Sequence, residues 1–96
     1  MFVGAGSQAE YGRFSGKLCL DTPCNPENGY GIAKFSAGKM SKIECEKLGV
    51  DHIWVRILSV YGPGDTETSM ISSVINKLLN KEKPALTEGL QLWDYL

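Results

Sequence analysis

The sequence predicts an α/β fold whose first half is a parallel strand–helix–strand unit, and three observations carry that prediction. His52-Ile53-Trp54-Val55-Arg56-Ile57-Leu58 is a β-branched and aromatic run of strand length, bounded by Gly49 and Gly62. From Tyr30 to Leu48 there is no proline, and Ile32, Phe35, Met40, Ile43 and Leu48 recur at spacings compatible with a helical stripe. Lys39, Lys42, Glu44, Glu46 and Lys47 supply the wet face of that helix. A short apolar run, Met1-Phe2-Val3, stands upstream. The connection between the two strands is far too long for a hairpin, so they are expected to pair in parallel through a right-handed crossover.

Taken in order, the first strand ends in Gly4-Ala5-Gly6, small residues that suit a tight turn. Between residues 12 and 29, Gly12, Gly16, Pro23, Pro26 and Gly29 stand among scattered polar side chains with no surviving period. This reads as a long surface loop, and structureless connections of such length are usually functional. The helix from Tyr30 stops at Gly49, suited to a left-handed cap, with Lys47 at the negative end of the helix dipole. Gly38 in its middle costs about 1 kcal/mol relative to alanine, which points to close packing there. After the second strand, Tyr61-Gly62-Pro63-Gly64-Asp65 is a turn. Thr68 or Ser69 then caps a second helix running to about Lys81, with Met70, Ile71, Val74, Ile75, Leu78 and Leu79 apolar and Pro84 ending it. Thr87-Glu88-Gly89 is expected to turn between short extended pieces, and Leu90, Leu92 and the last aromatics to form a strand.

Length and composition exclude several classes. Ninety-six residues hold one small domain at most. Ten Lys and Arg against eleven Asp and Glu give a net charge of −1, without the basic excess of a nucleic-acid binder. A hydrophobic fraction of 43% with 22% charged residues is globular rather than disordered. No apolar run exceeds three residues, too short for a membrane span or a signal-peptide core. Three cysteines without a CxxC pair suit reduced thiols in a cytosolic protein, and a single histidine leaves no metal constellation. Cys19 and Cys24 read as incidental thiols, His52 as a surface residue, and Trp54 and Trp93 as packing residues.

Two local motifs bear on chemistry. Gly4-Ala5-Gly6-Ser7-Gln8-Ala9 matches GxGxxA, with Asp21 at a plausible distance for a ribose-binding acid. The dinucleotide fingerprint needs that glycine turn to open a helix facing the pyrophosphate. Here it runs into Glu10-Tyr11-Gly12-Arg13-Phe14-Ser15-Gly16, so a strand end made of small residues is the preferred reading. Tyr30 and Lys34 form a YxxxK at a helix start, where residues four apart address one site. A phenol ordinarily titrates near 10, so acid–base work at neutrality requires a drop of about 3, roughly 4 kcal/mol. An ammonium about 5 Å away supplies on the order of 3 kcal/mol at an effective dielectric of ~20. A second positive charge, such as an oxidised nicotinamide, closes the gap. Alone, the motif is also compatible with a half-buried aromatic beside a solvated lysine.

Three stretches together are more specific. Gly6-Ser7-Gln8-Ala9-Glu10-Tyr11-Gly12, Pro26-Glu27-Asn28-Gly29-Tyr30-Gly31-Ile32-Ala33-Lys34 and Val55-Arg56-Ile57-Leu58-Ser59-Val60-Tyr61-Gly62-Pro63-Gly64-Asp65 stand in order along the chain. They resemble, in that order, three segments of the extended short-chain dehydrogenase/reductase family of NAD-dependent nucleotide-sugar epimerases and dehydratases. These are its Ser/Thr strand end closing in Tyr-Gly, its Pro-x-x-x-Tyr-Gly-x-x-Lys segment, and its Arg-x-x-Asn-Val-Tyr-Gly-Pro-Gly-Asp segment. The last residues, Gln91 to Leu96, resemble the stretch before that family's next aspartate turn.

The resemblance implies a partial Rossmann-like, NAD(P)-binding fold: residues 1–65 as the catalytic part and 66–96 as the start of the substrate-binding part. It implies Tyr30 as the catalytic acid/base and Lys34 as the residue that bonds the nicotinamide ribose and favours the tyrosinate. Ser7 would hydrogen-bond the reacting oxygen, Leu58 would contact the cofactor and Ser59 the substrate. The cofactor would be NAD or NADP, the substrate a nucleotide sugar, and the assembly commonly a homodimer through the helix that carries YxxxK.

Two departures narrow the type. Where the family's 4,6-dehydratases carry acidic residues after the Ser/Thr, this chain has Gln8 and Ala9. Glu10 comes one residue later and, on a strand, would point away from Ala9. An epimerase or 4-keto-sugar reductase is therefore favoured. Ser59 stands in place of the family's asparagine. The family's glycine fingerprint is not matched, so the chain reads as an internal segment of a larger enzyme, expected to bind NAD(P) weakly by itself. The rival readings are a non-catalytic remnant and a sugar-nucleotide binding module.

Overall fold

A computed structural model describes residues 1–90 and Trp93. Strand β1 (Phe2–Ser7) is followed by a single 3₁₀ turn (Gln8–Glu10), helix α1 (Gly29–Leu48), strand β2 (His52–Ile57) and helix α2 (Met70–Leu79). The chain forms two compact units, Met1–Leu58 and Ser59–Leu96.

In the first unit the two strands pair in parallel as expected, with Phe2 opposite His52, Gly4 opposite Trp54 and Ser7 opposite Ile57. β1 is longer than its apolar run suggests. Gly4 and Gly6 continue the strand instead of turning, because the Trp54 ring lies across both. A β-carbon on either glycine would overlap that indole. The glycines therefore make room for a neighbour and do not form a phosphate loop. No helix of useful length follows them, only the 3₁₀ turn.

Helix α1 begins where Asn28 caps it, its side chain accepting from the Gly31 N–H at 2.8 Å. It ends at Gly49, which is left-handed (φ 64°). The face it buries is not the expected stripe. Gly31, Gly38 and Cys45 are buried, whereas Ile32, Met40, Ile43 and Leu48 are exposed. The reason lies on β2, whose helix-facing side carries His52, Trp54 and Arg56. With the bulk supplied by the strand, the helix can approach only on small residues. A β-carbon on Gly38 would stand 2.7 Å from Trp54 Cε2.

His52 is likewise no surface residue. Half-buried, its ring stacks between Phe2 and Trp54 at centroid distances of 5.5 and 6.2 Å, and its Nε2 lies 2.9 Å from Ser41 Oγ. The other face of the sheet leaves Val3, Ile53, Val55 and Ile57 exposed. Residues 12–28 form the long loop without helix or strand. That loop folds back so that Asn25 O sits against Gly12, which takes a positive φ of 68° to accommodate it.

The second unit opens with a turn in which the Asp65 N–H donates to Gly62 O at 3.1 Å and Gly64 takes φ 90°, as a Pro-Gly centre demands. Ser69 occupies the cap position of α2, but its hydroxyl donates to Asp65 Oδ2 instead of capping the helix. Asp65 also accepts from the Thr66 N–H at 2.7 Å and the Ser72 hydroxyl at 3.3 Å. The helix stops at Leu79, and Lys81 takes a left-handed φ of 58°. Among the described residues no strand follows. The strand expected over Leu90, Leu92 and the last aromatics lies mostly outside them, and Leu90 and Trp93 belong to no regular element. Trp93 is exposed and donates its indole N–H to Ser59 Oγ at 2.6 Å rather than packing. Among the described residues no helix is long and apolar enough to cross a membrane.

Candidate active site

Ser7 ends β1, and Tyr30 and Lys34 stand on the first turns of α1, which adjoins the turn after Ser7 at one corner of the first unit. The contact that builds the corner is backbone against backbone. Gly31 sits on the Ala9 carbonyl so closely that a β-carbon would overlap it, with Pro26 Cβ 3.1 Å away. The first turn of α1 is thereby set beside the turn that follows Ser7. Lys34, one helical turn after Tyr30, reaches back to β1 and donates from Nζ to Ala5 O at 2.9 Å. Its ammonium lies 5.9 Å from the centroid of the Tyr30 ring. Tyr30 is 60% exposed, so its phenol is open to a ligand.

Ser7 is the N-cap of the 3₁₀ turn. Its Oγ accepts from the Ala9 N–H at 3.2 Å. Among the described residues no acceptor takes the hydroxyl proton, so what Ser7 has left to offer a ligand is a donor. Leu58 follows β2 directly after Ile57, the register partner of Ser7. It lines an open groove with Tyr11, Lys17, Leu18, Cys19 and Arg56. Ser59 opens the second unit, where its hydroxyl oxygen accepts from Trp93.

Beneath the Ser7 turn lies a network that the motifs do not announce. Glu10 is fully buried. Its Oε1 accepts from the Ser7 N–H at 2.9 Å and Trp54 Nε1 at 3.0 Å, and its Oε2 accepts from Arg56 Nε at 2.8 Å. Burial disfavours the charged carboxylate, but the bonds from Arg56, the Ser7 N–H and Trp54 outweigh it and hold Glu10 below its ordinary value. Arg56 also lies over the Tyr11 ring, 4.9 Å from its centroid, and donates from Nη1 to Tyr11 Oη at 3.2 Å. Glu10 is on a 3₁₀ turn and not on a strand, so alternation does not decide where it points. It points inward because three donors wait there.

These residues coincide with a family match over the whole chain: the model of the NAD dependent epimerase/dehydratase family matches residues 1–96. The chain belongs to that family. Among curated relatives, it is 31% identical over 98 residues to a dTDP-6-deoxy-L-talose 4-dehydrogenase (NAD(+)) of Aggregatibacter actinomycetemcomitans, covering 96% of this chain and 35% of the relative. It is 28% identical over 88 residues to an uncharacterized UDP-glucose epimerase of Bacillus subtilis, covering 92% of this chain and 28% of that one. The chain thus spans about a third of the length of these relatives.

Among solved structures, a UDP-N-acetylglucosamine 4-epimerase of Methanobrevibacter ruminantium in complex with UDP-N-acetylmuramic acid superposes with a TM-score of 0.83 at 28% identity, covering 98% of this chain and 32% of that one. A dTDP-glucose 4,6-dehydratase of Bacillus anthracis in complex with NAD gives 0.81 at 25%, with 98% and 31% covered. The fold is that of the Rossmann-type epimerases and dehydratases.

Proposed function

We propose that this family member supplies the proton-transfer segment of an NAD(P)-dependent nucleotide-sugar epimerase or 4-keto-sugar reductase. The observation that carries the reading is the Lys34 ammonium, anchored on Ala5 O beside the Tyr30 ring. An ammonium has three donors, so two remain for the hydroxyls of a nicotinamide ribose. Tyr30 and Leu58 would flank the same end of the cofactor. The residues fit that end only: Gly4 and Gly6 lie under Trp54 and cradle no pyrophosphate.

When bound, the cofactor supplies the site that gives or takes a hydride. Tyr30 then removes the proton from a sugar hydroxyl as its carbon is oxidised, and returns it on reduction. Ser7 donates its free hydroxyl proton to the same oxygen while charge develops there. Lys34 stabilises the tyrosinate that takes up this proton in the first step and is regenerated when the proton is returned in the second. Ser59 is assigned to the substrate side, and the exposed Ile32, Met40 and Ile43 on α1 would cover one another in a homodimer.

The engaged Glu10 supports an epimerase or reductase over a dehydratase. Gln8 and Ala9 cannot move the proton an elimination needs, and the Glu10 carboxylate already accepts three N–H groups. In the full-length protein, Tyr30→Phe is expected to lower kcat by at least about 100-fold, and Lys34→Met to lower it while weakening cofactor binding. Nucleotide-sugar binding should persist in both. Unchanged turnover in both variants would contradict the proposal.

A further inference from the structure

We infer that Glu10 is a positioning residue for Ser7: its buried carboxylate ties both ends of the serine turn to β2 and so fixes where the Ser7 hydroxyl points. The inference rests on the reading of Ser7 as donor to the reacting oxygen. At the start of the turn, Oε1 holds the Ser7 N–H at 2.9 Å, closing a capping box with the Ser7 hydroxyl on the Ala9 N–H. At its end, Tyr11 is held by Arg56, whose Nε is bound to Oε2 at 2.8 Å. Trp54 Nε1 fixes the carboxylate from the strand side at 3.0 Å. One buried group therefore sets the backbone on either side of the serine hydroxyl, and it touches neither Tyr30 nor Lys34 by any bond in the described residues.

The chemistry of the site calls for a carboxylate. Three N–H donors converge on two oxygens, and a carboxylate is the side chain that accepts at both. Trp54 Nε1 is shared between Oε1 and Oε2, at 3.0 and 3.2 Å, so a carboxamide of the same size must turn its NH₂ toward either the Ser7 N–H or the Arg56 Nε–H. Either way a donor faces a donor, and one end of the turn is released.

The test is a double-mutant cycle in the full-length protein, with Ser7→Ala, Glu10→Gln and the two combined, and Tyr30→Phe alongside. Glu10→Gln is expected to lower kcat by about 10- to 100-fold with KM for the nucleotide sugar nearly unchanged, the size of effect that small misplacement of a reacting group produces. The combined variant should be no slower than Ser7→Ala alone to within about 2-fold, because a group that acts through Ser7 has nothing left to position. Losses that multiply, or a Glu10→Gln variant with unchanged kcat, would overturn the inference. Should Glu10→Gln fail to fold, Arg56→Lys replaces it in the same cycle. It keeps the charge but loses the planar fork that spans Glu10 and Tyr11, and the same non-additivity is expected. If Tyr30→Phe retains full turnover, the proposed function itself falls, which is a different result from a failed cycle.

Discussion

Trp54 and Gly38 share one position between sheet and helix: the indole fills the space that a side chain on the helix would otherwise take, leaving 2.7 Å between Cε2 and a would-be β-carbon. Gly38→Ala is therefore expected to destabilise by about 1–3 kcal/mol, since the aromatic ring is rigid and the backbone must shift. Gly29→Ala is the control. A β-carbon there meets nothing, and helical backbone needs no glycine. Urea unfolding of the full-length protein should separate the two, with Gly29→Ala neutral or slightly stabilising.

Gly31 makes a second close approach, this time to the Ala9 carbonyl. An added methyl group would push the first turn of α1 away from the serine turn, moving Tyr30 relative to Ser7. Gly31→Ala is expected to cost on the order of 100-fold in kcat, the penalty for displacing catalytic groups by about 1 Å. Steady-state kinetics beside circular dichroism checks it: a folded variant with full activity would mean that the corner tolerates separation.

The buried carboxylate predicts acid sensitivity of a definite sign. Glu10 titrates below its ordinary value of 4.5 in the folded protein. Its contribution is therefore fully present above that ordinary value and is lost as pH falls through the lowered folded one. Glu10→Gln should melt at a lower temperature than the parent at neutral pH, and the gap should narrow on acidification. A gap that stays constant from neutrality to acid would show that the carboxylate's charge contributes nothing.

Gly4 and Gly6 lie in a strand under Trp54, so they form no pyrophosphate cradle, and on the proposed reading this polypeptide would meet a cofactor only at its nicotinamide end. Calorimetric titration of this polypeptide with NAD+ or NADP+ is expected to show binding weaker than about 1 mM. Micromolar binding would restore Gly4–Ala9 as a phosphate loop.

Much of the first unit was legible in the sequence. β2 announced itself by β-branched and aromatic residues, α1 by its cap glycine and proline-free run, and their parallel pairing by the long connection. The buried face of α1 is not legible from the period of its large apolar residues, because packing against Trp54 selects small ones. The continuation of β1 past Gly4 is hidden for a related reason, since a glycine that ends a strand and one that admits a ring look alike without the partner. The Glu10 network did leave a signal: Ser7-Gln8-Ala9-Glu10 spells a capping box, and an arginine within the β-branched run of β2 needs an acid nearby. Trp54 as its third member was legible only once the register put it beside Gly4.

In the proposed site Tyr30 moves the proton while Lys34 and Ser7 hold the groups around it. The most direct measurement is single-turnover hydride transfer in the full-length protein, followed by the cofactor's absorbance, with Tyr30→Phe beside the parent at saturating nucleotide sugar. The expected transfer rate is at least about 100-fold lower in the variant, with substrate affinity kept. A transfer rate equal to the parent's would contradict it.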